Sequence, residues 1–250
     1  MRTAELAEGA FAEPGGGPQP GVVVIPDVWG LSDHTRDIAQ RLAREGFAAL
    51  ALDLYRKTGR PSLADPAAAM AWIRELSDPL VLETVQEGID ALARHQAVAG
   101  RTHAAGAGQN HAARAGQKVG LIGFCMGGQY AWLAACTCRG LSAVAPFYGM
   151  LRYEPGLDPT KKPREPLAAI AALSCPALGL YGREDALIPS ADVDELEARL
   201  AQQPQPFEIV RYAGAGHAFM NDTRPALYRP EAAADAWRRL LAFLRAHLGN

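Results

Sequence analysis

Long hydrophobic runs, a surplus of charge of either sign and abundant cysteine are all missing from this chain. No run approaches the ~18–20 apolar residues of a membrane helix, so no membrane crossing is expected. Lys and Arg number 25 against 27 Asp and Glu, a formal net charge of −2. A nucleic-acid binder carries a basic surplus or stripe, so nucleic acid is not an expected partner. The N-terminal stretch holds Glu5 and Glu8 and lacks the basic-then-apolar pattern of an export signal. Cysteines number four, and reduced thiols in the cytoplasm are expected. Cys136 and Cys138 stand too close for a zinc knuckle and no second pair answers them. Together with Cys175 they read as buried or neutral thiols. Neither a metal nor a cofactor is expected.

What is present is core material in alternating blocks. Hydrophobic residues make up 49% of 250 residues and charged ones 21%, enough for one soluble domain spanning the chain. Strands are expected at Gly21 to Ile25, Phe47 to Leu52, Val119 to Ile122, Leu141 to Phe147, Pro176 to Tyr181 and Phe207 to Tyr212. Between them, Ser32 or Asp33 caps a helix through Glu45, and Asp65-Pro66 opens another. Further helices are expected from Leu80 to about His95, Gln129 to Cys136, Ala191 to Gln202 and Glu231 to Leu248. Strands alternating with helices predict an α/β chain: a doubly wound, mostly parallel sheet with helices on both faces and ligands at the strands' C-terminal edge. Arg101 to Gly116 is rich in glycine and alanine without periodicity and reads as a flexible insertion. His103 and His111 lie in it without carboxylates, a poor metal site.

The chemistry concentrates at Gly123-Phe124-Cys125-Met126-Gly127-Gly128. A strand, a tight turn and a helix follow one another there, with a nucleophile at the apex: G-x-S-x-G with cysteine for serine. The helix N-terminus offers free N–H groups for an oxyanion, and its dipole favours a thiolate. An acid and a histidine should follow in that order. Asp185, in Gly182-Arg183-Glu184-Asp185 just past a strand, is the preferred acid, with Glu184 its rival. His217 stands in the glycine-rich turn after the last strand. The remaining histidines, His34, His95, His103, His111 and His247, read as structural. Trp29, Tyr55, Phe124, Tyr148 and Phe219 are aromatic candidates for a substrate pocket. A thiolate acylates well on activated esters, enol esters and lactones, and poorly on amides, where the amine leaves only once protonated.

These pieces resemble the dienelactone hydrolase family, carboxymethylenebutenolidase-like proteins of the α/β-hydrolase fold. The matching segments are Val24-Ile25-Pro26-Asp27-Val28-Trp29-Gly30, Leu52-Asp53-Leu54-Tyr55, the Cys125 elbow, Phe147-Tyr148-Gly149, Gly182-Arg183-Glu184-Asp185 and Gly216-His217-Ala218-Phe219-Met220-Asn221-Asp222. The resemblance implies hydrolysis of a small ester or lactone by Cys125, His217 and Asp185. It also implies an oxyanion hole of the Met126 and Val28 backbone N–H groups, and an acid at Asp27 that modulates the thiol. Relatives carry glutamate there, one methylene longer. They hold a lactone carboxylate with two arginines, one of them four residues past the histidine, where this chain has Asn221. Arg56 and Arg74 are the candidates for the other. Asn221 lacks fixed positive charge, so neutral esters or lactones are expected to be preferred. A thioesterase, a general carboxylesterase and a non-catalytic redox-sensing thiol protein are the alternatives. The oligomeric state is left open, a monomer being sufficient.

Overall fold

The computed structural model describes residues 1–17, 19–61, 63, 65–103 and 118–249, of which 96–103 by backbone alone. Of the insertion expected at Arg101 to Gly116, residues 101–103 are instead the last turn of a helix, and 104–116 lie outside the described residues, as does the metal reading, which rests on the His103 side chain and His111.

Eight strands form one sheet: β1 (Arg2–Leu6), β2 (Gly9–Glu13), β3 (Gly21–Ile25), β4 (Ala48–Leu52), β5 (Val119–Phe124), β6 (Leu141–Phe147), β7 (Ala177–Gly182) and β8 (Phe207–Tyr212). Their order is β1-β2-β4-β3-β5-β6-β7-β8, parallel from β4 through β8. The six expected strands are all present. The β1–β2 hairpin was not expected, because Arg2, Thr3 and Glu5 face water on an edge strand and β2 is built around Ala10 and Ala12. Its place comes from antiparallel pairing of β2 on β4, a tertiary contact that overrides weak local preference.

The helices are α1 (Asp33–Arg44), α2 (Pro66–Glu75), α3 (Asp78–His103), α4 (Met126–Thr137), the short α5 (Pro166–Ala169), α6 (Ser190–Leu200) and α7 (Pro230–Leu248). Ser32 caps α1 by accepting from the Thr35 N–H at 3.4 Å, and Asp65 caps α2 by accepting from Ala68 at 2.8 Å. The α3 helix starts two residues earlier and ends eight later than its sequence suggests. The chain steps from β3 by α1 to β4 on one side, then returns by α2 and α3 to β5 on the other. Right-handed crossovers in opposite directions put α1 on the face opposite α3 and α4. The reversal leaves a crevice beyond the C-terminal ends of β3 and β5, where open α/β sheets bind ligands.

The α4 helix is apolar all round, with Met126 through Ala135 buried. Its polar atoms must therefore be answered inside the protein. The Tyr130 hydroxyl donates to Asp78 Oδ1 at 2.8 Å, and Lys162 Nζ donates to the same oxygen at 2.7 Å. The Tyr153 hydroxyl donates to Asp78 Oδ2 at 2.5 Å. This knot ties α4 to the start of α3 and to the segment that follows β6. Lys162 and Asp78 expose 1% and 2% of their side chains, so removing one partner strands a buried charge. Lys162→Met should cost about 3–5 kcal/mol in urea unfolding. Adding Asp78→Asn should recover part of that loss, because the neutral amide oxygen still accepts from one tyrosine hydroxyl while its NH2 can donate to the other. An additive loss in the double variant would show that the charges act independently.

Candidate active site

The elbow is forced by backbone contact. Cys125 has φ 56 and ψ −118, a conformation that L residues rarely adopt, and its N–H donates to Phe147 O at 3.1 Å across to β6. A Cβ on Gly123 would stand 2.0 Å from Gly127 O, and one on Gly127 would stand 2.4 Å from Pro26 O. Only glycine lets the first turn of α4 sit on the ends of β5 and β3. The half-buried thiol is thus presented at the crevice. Burial pushes the other thiols up, Cys136 and Cys175 to about 12 and Cys138 to about 11, which keeps them protonated.

Beyond β7 and β8, two loops bring the other candidates together. The His217 ring lies 2.8 Å from Asp185 Oδ2 through Nδ1. The Asp185 side chain is fully buried, and its Oδ1 accepts from the Leu187 N–H at 2.9 Å. Such a carboxylate fixes the tautomer, with the proton on Nδ1 and Nε2 left for the thiol. Nε2 is buried and makes no hydrogen bond of normal geometry among the described residues. Burial alone would lower the imidazole's pKa. Charge on Cys125 and the bond to Asp185 override it, and the ring is pushed up to about 10. Glu184 turns elsewhere, accepting from the Gly214 N–H at 2.9 Å and so bracing the turn that leads to His217. The Tyr148 ring packs edge-on against the imidazole, centroids 5.2 Å apart.

Asp27 sits at the end of β3. Burial raises its pKa, opposed by the Trp29 N–H it accepts at 3.0 Å and by the positive charges of Arg224 and His217. No hydrogen bond joins it to Cys125 among the described residues. Val28 follows in the same turn, and Met126, as the first residue of α4, has an N–H without an intrahelical acceptor.

Of the aromatic candidates, Trp29 and Tyr55 line a cavity of about 180 Å³ with Gly30, Leu31, Arg60, Pro61 and Leu63. Phe124, Tyr148 and Phe219 do not line it; at 3%, 1% and 0% exposed they fill the core, Tyr148 packing on the other two. Asn221 is buried as well, its Oδ1 accepting from the Thr223 N–H and hydroxyl at 3.1 and 2.6 Å. Arg56 pairs with Glu87 and Arg74 with Glu154, so both cations are engaged in ion pairs. Arg60 lines the cavity but is paired with Asp53; a further cation beside it, which the sequence reading missed, is Arg224. Its guanidinium stacks 4.7 Å from the Trp29 ring centroid, within electrostatic reach of Asp27. It makes no ion pair among the described residues. A cation seven residues past His217 was the only signal for it.

A parallel sheet with a strained elbow after β5, an acid after β7 and a histidine after β8 defines an α/β-hydrolase fold. The family model described as "Dienelactone hydrolase family" matches residues 7–248. A protein of Bradyrhizobium sp. named as a 2-oxo-3-(5-oxofuran-2-ylidene)propanoate lactonase is 35% identical, over 92% of this chain and 84% of its own. A protein of Escherichia coli strain K12 named as a carboxymethylenebutenolidase is 32% identical, over 94% of this chain and 79% of its own. The crystal structure of a protein from Klebsiella pneumoniae titled as a dienelactone hydrolase superposes with a TM-score of 0.79 at 33% identity, covering 94% and 90% of the two chains. The chain belongs to the dienelactone hydrolase family. No helix among the described residues is long and apolar enough to cross a membrane.

The influence of Cys125 on the His217 ring has a direct readout. In the wild type the ring should stay protonated below about 10 and lose its proton as pH rises through that value. In Cys125→Ala the sulfur charge is gone while burial still disfavours the imidazolium, so the midpoint should fall. Histidine NMR titration of both proteins measures this; equal midpoints would mean that the sulfur carries no charge beside the ring.

Proposed function

We propose that this protein hydrolyses a small ester or lactone through a covalent thioester on Cys125. The observation carrying the reading is a thiol at a strained elbow, beside an imidazole whose Nδ1 is held by a buried carboxylate. The Cys125 thiolate attacks the carbonyl carbon, and the oxyanion takes the N–H groups of Met126 and Val28. The C–O bond then breaks, and the His217 imidazolium gives its Nε2 proton to the leaving oxygen. Sulfur is now acylated and neutral, so the influence that held the ring's pKa high is gone. The imidazole becomes a base when one is needed. It takes a proton from water, hydroxide adds to the thioester, and the C–S bond breaks to return thiolate beside imidazolium. Ester and water become acid and alcohol, with no cofactor consumed. Asp27 modulates the thiol through its charge near His217, since it makes no hydrogen bond to the sulfur.

Cys125→Ala should lose on the order of 10³-fold or more in turnover while remaining folded. Intact mass after mixing with a slow ester should gain one acyl group in the wild type and none in the variant. Full turnover in Cys125→Ala would end the proposal.

The substrate's charge is set by Arg224 in this reading. Asn221 has its oxygen committed to Thr223, so its neutrality does not decide the preference expected from the sequence. Both relatives' names describe lactones that carry a carboxylate, and Arg224 is a cation stacked on a wall of the cavity. One charge-assisted contact contributes ~1.5–3 kcal/mol, so Arg224→Gln should lower kcat/KM for a carboxylate-bearing lactone by roughly ten- to a hundredfold. A matched neutral lactone should change little. Equal losses on both would remove Arg224 from recognition and favour the neutral class.

A further inference from the structure

The turn that carries Val28 is held from both sides. The peptide joining Val28 to Trp29 has its carbonyl oxygen 2.7 Å from the Tyr55 hydroxyl, which donates to it, and its N–H 3.0 Å from Asp27 Oδ1. The preceding peptide is held too, Asp27 O accepting from the Gly30 N–H at 3.0 Å. Both peptide planes flanking Val28 are fixed, while its own N–H makes no hydrogen bond among the described residues. Val28 is 5% exposed, so its carbonyl would be orphaned in the core without the phenol. The same hydroxyl lies 3.8 Å from Met126 Sδ, on the residue that follows the nucleophile. It therefore contacts both residues proposed for the oxyanion hole.

Tyr55 is itself tightly seated. It follows β4, the neighbour of β3, and its N–H donates to Asp53 Oδ1 at 3.2 Å. Its ring packs so closely on Gly30 that a Cβ there would stand 2.9 Å from Cδ2. Trp72 closes the other side edge-on, centroids 6.0 Å apart. A buried, immobile phenol aimed at a backbone carbonyl is more than a pocket wall requires.

We infer that Tyr55 is a positioning residue for the oxyanion hole: with the Asp27 carboxylate it clamps the Val28–Trp29 peptide, so that the Val28 N–H points at the developing oxyanion before substrate arrives. Hydrogen-bond donors accelerate a reaction most when they need no reorganisation as charge develops. This inference rests on the Cys125 acyl-transfer reading, and gives Asp27 a second task as a hydrogen-bond acceptor.

The test uses the full-length enzyme, Tyr55→Phe and the pair Asp27→Asn and Asp27→Ala. Losing an oxyanion donor outright costs about 10²–10³-fold in kcat; loosening one should cost roughly tenfold, with KM unchanged. A trifluoromethyl ketone, which forms the tetrahedral adduct, should bind Tyr55→Phe weaker by the same factor. Alkylation of Cys125 by iodoacetamide forms no oxyanion and should keep its rate. Asp27→Asn and Asp27→Ala both remove the charge, but only Asn keeps an acceptor for the Trp29 N–H, so Asp27→Asn should bind the ketone tighter than Asp27→Ala does. This pair carries the test if Tyr55→Phe does not fold. The inference is overturned if Tyr55→Phe keeps kcat within twofold. It is also overturned if alkylation slows as much as turnover, or if Asp27→Asn and Asp27→Ala bind the ketone equally. Wild-type acylation by a slow ester, followed by mass, reports separately on the underlying reading: a missing adduct defeats that reading, whereas an adduct with an unaffected Tyr55→Phe defeats only the clamp.

Discussion

The site depends on one backbone contact, the seating of the first turn of α4 against the end of β3. Gly127 lies so close to the Pro26 and Ile25 carbonyls that no side chain fits between them. That approach sets the height of Cys125 above the sheet and its distance from the Asp27–Val28 turn. Cys125 and the Asp27–Val28 turn follow β5 and β3, the two strands between which the winding reverses. They are neighbours in the sheet although about a hundred residues apart in the chain, so nearly all of the intervening sequence serves to bring β5 back beside β3. The buried Lys162–Asp78 pair and the two tyrosine hydroxyls anchor the far side of α4. The helix is thus fixed at its N-terminus by backbone and along its length by a polar knot.

Electrostatics does the rest through burial. Desolvation acts against charge on His217 and on Asp27 alike, yet the two respond differently. His217 keeps its proton because sulfur charge and a hydrogen-bonded carboxylate outweigh burial, whereas Asp27, with only one backbone N–H and two more distant cations, is shifted toward its neutral form. The imidazole's affinity for its proton is therefore conditional on its neighbour Cys125. Under the proposed acyl transfer, one ring would serve first as acid and then as base without any movement of the fold.

What the sequence made legible follows from the range of each signal. Buried strands, caps at Ser32 and Asp65, and the elbow glycines act within a few residues, and a reader of the chain can see them. Chain order then suggested Cys125, Asp185 and His217, and the fold brings the last two into hydrogen-bond contact. The β1–β2 hairpin was invisible because its strands are alanine-rich or exposed, and its reason to exist is β4. Arg224, the Tyr55 hydroxyl and the Lys162–Asp78 pair were hidden for a related reason: each acts on a partner 195, 27 or 84 positions away. Aromatics were read as pocket walls when three of them are packing beneath the site, since hydrophobicity alone does not say which side of a sheet edge a ring occupies.

The backbone itself marks the same region. Among the described residues, the non-glycine residues with positive φ are Cys125, Tyr148 and Ala218. One is the thiol, one packs on the His217 ring, and one follows that histidine directly. Such conformations cost of order 1–3 kcal/mol each and persist only where surrounding structure over-determines them. Here the restraints are visible: Cys125 donates to Phe147 O, Tyr148 donates to Leu180 O at 2.8 Å, and Asn221 donates to Ala218 O at 2.9 Å. The last contact gives Asn221 a task independent of substrate. Its backbone closes the turn that Ala218 strains, while its side chain closes the next turn onto Thr223. A residue holding two successive turns behind the histidine is poorly placed to recognise a ligand. Three residues further on, the chain emerges at Arg224 against Trp29, so a positive charge stands at the far end of the turns that Asn221 braces.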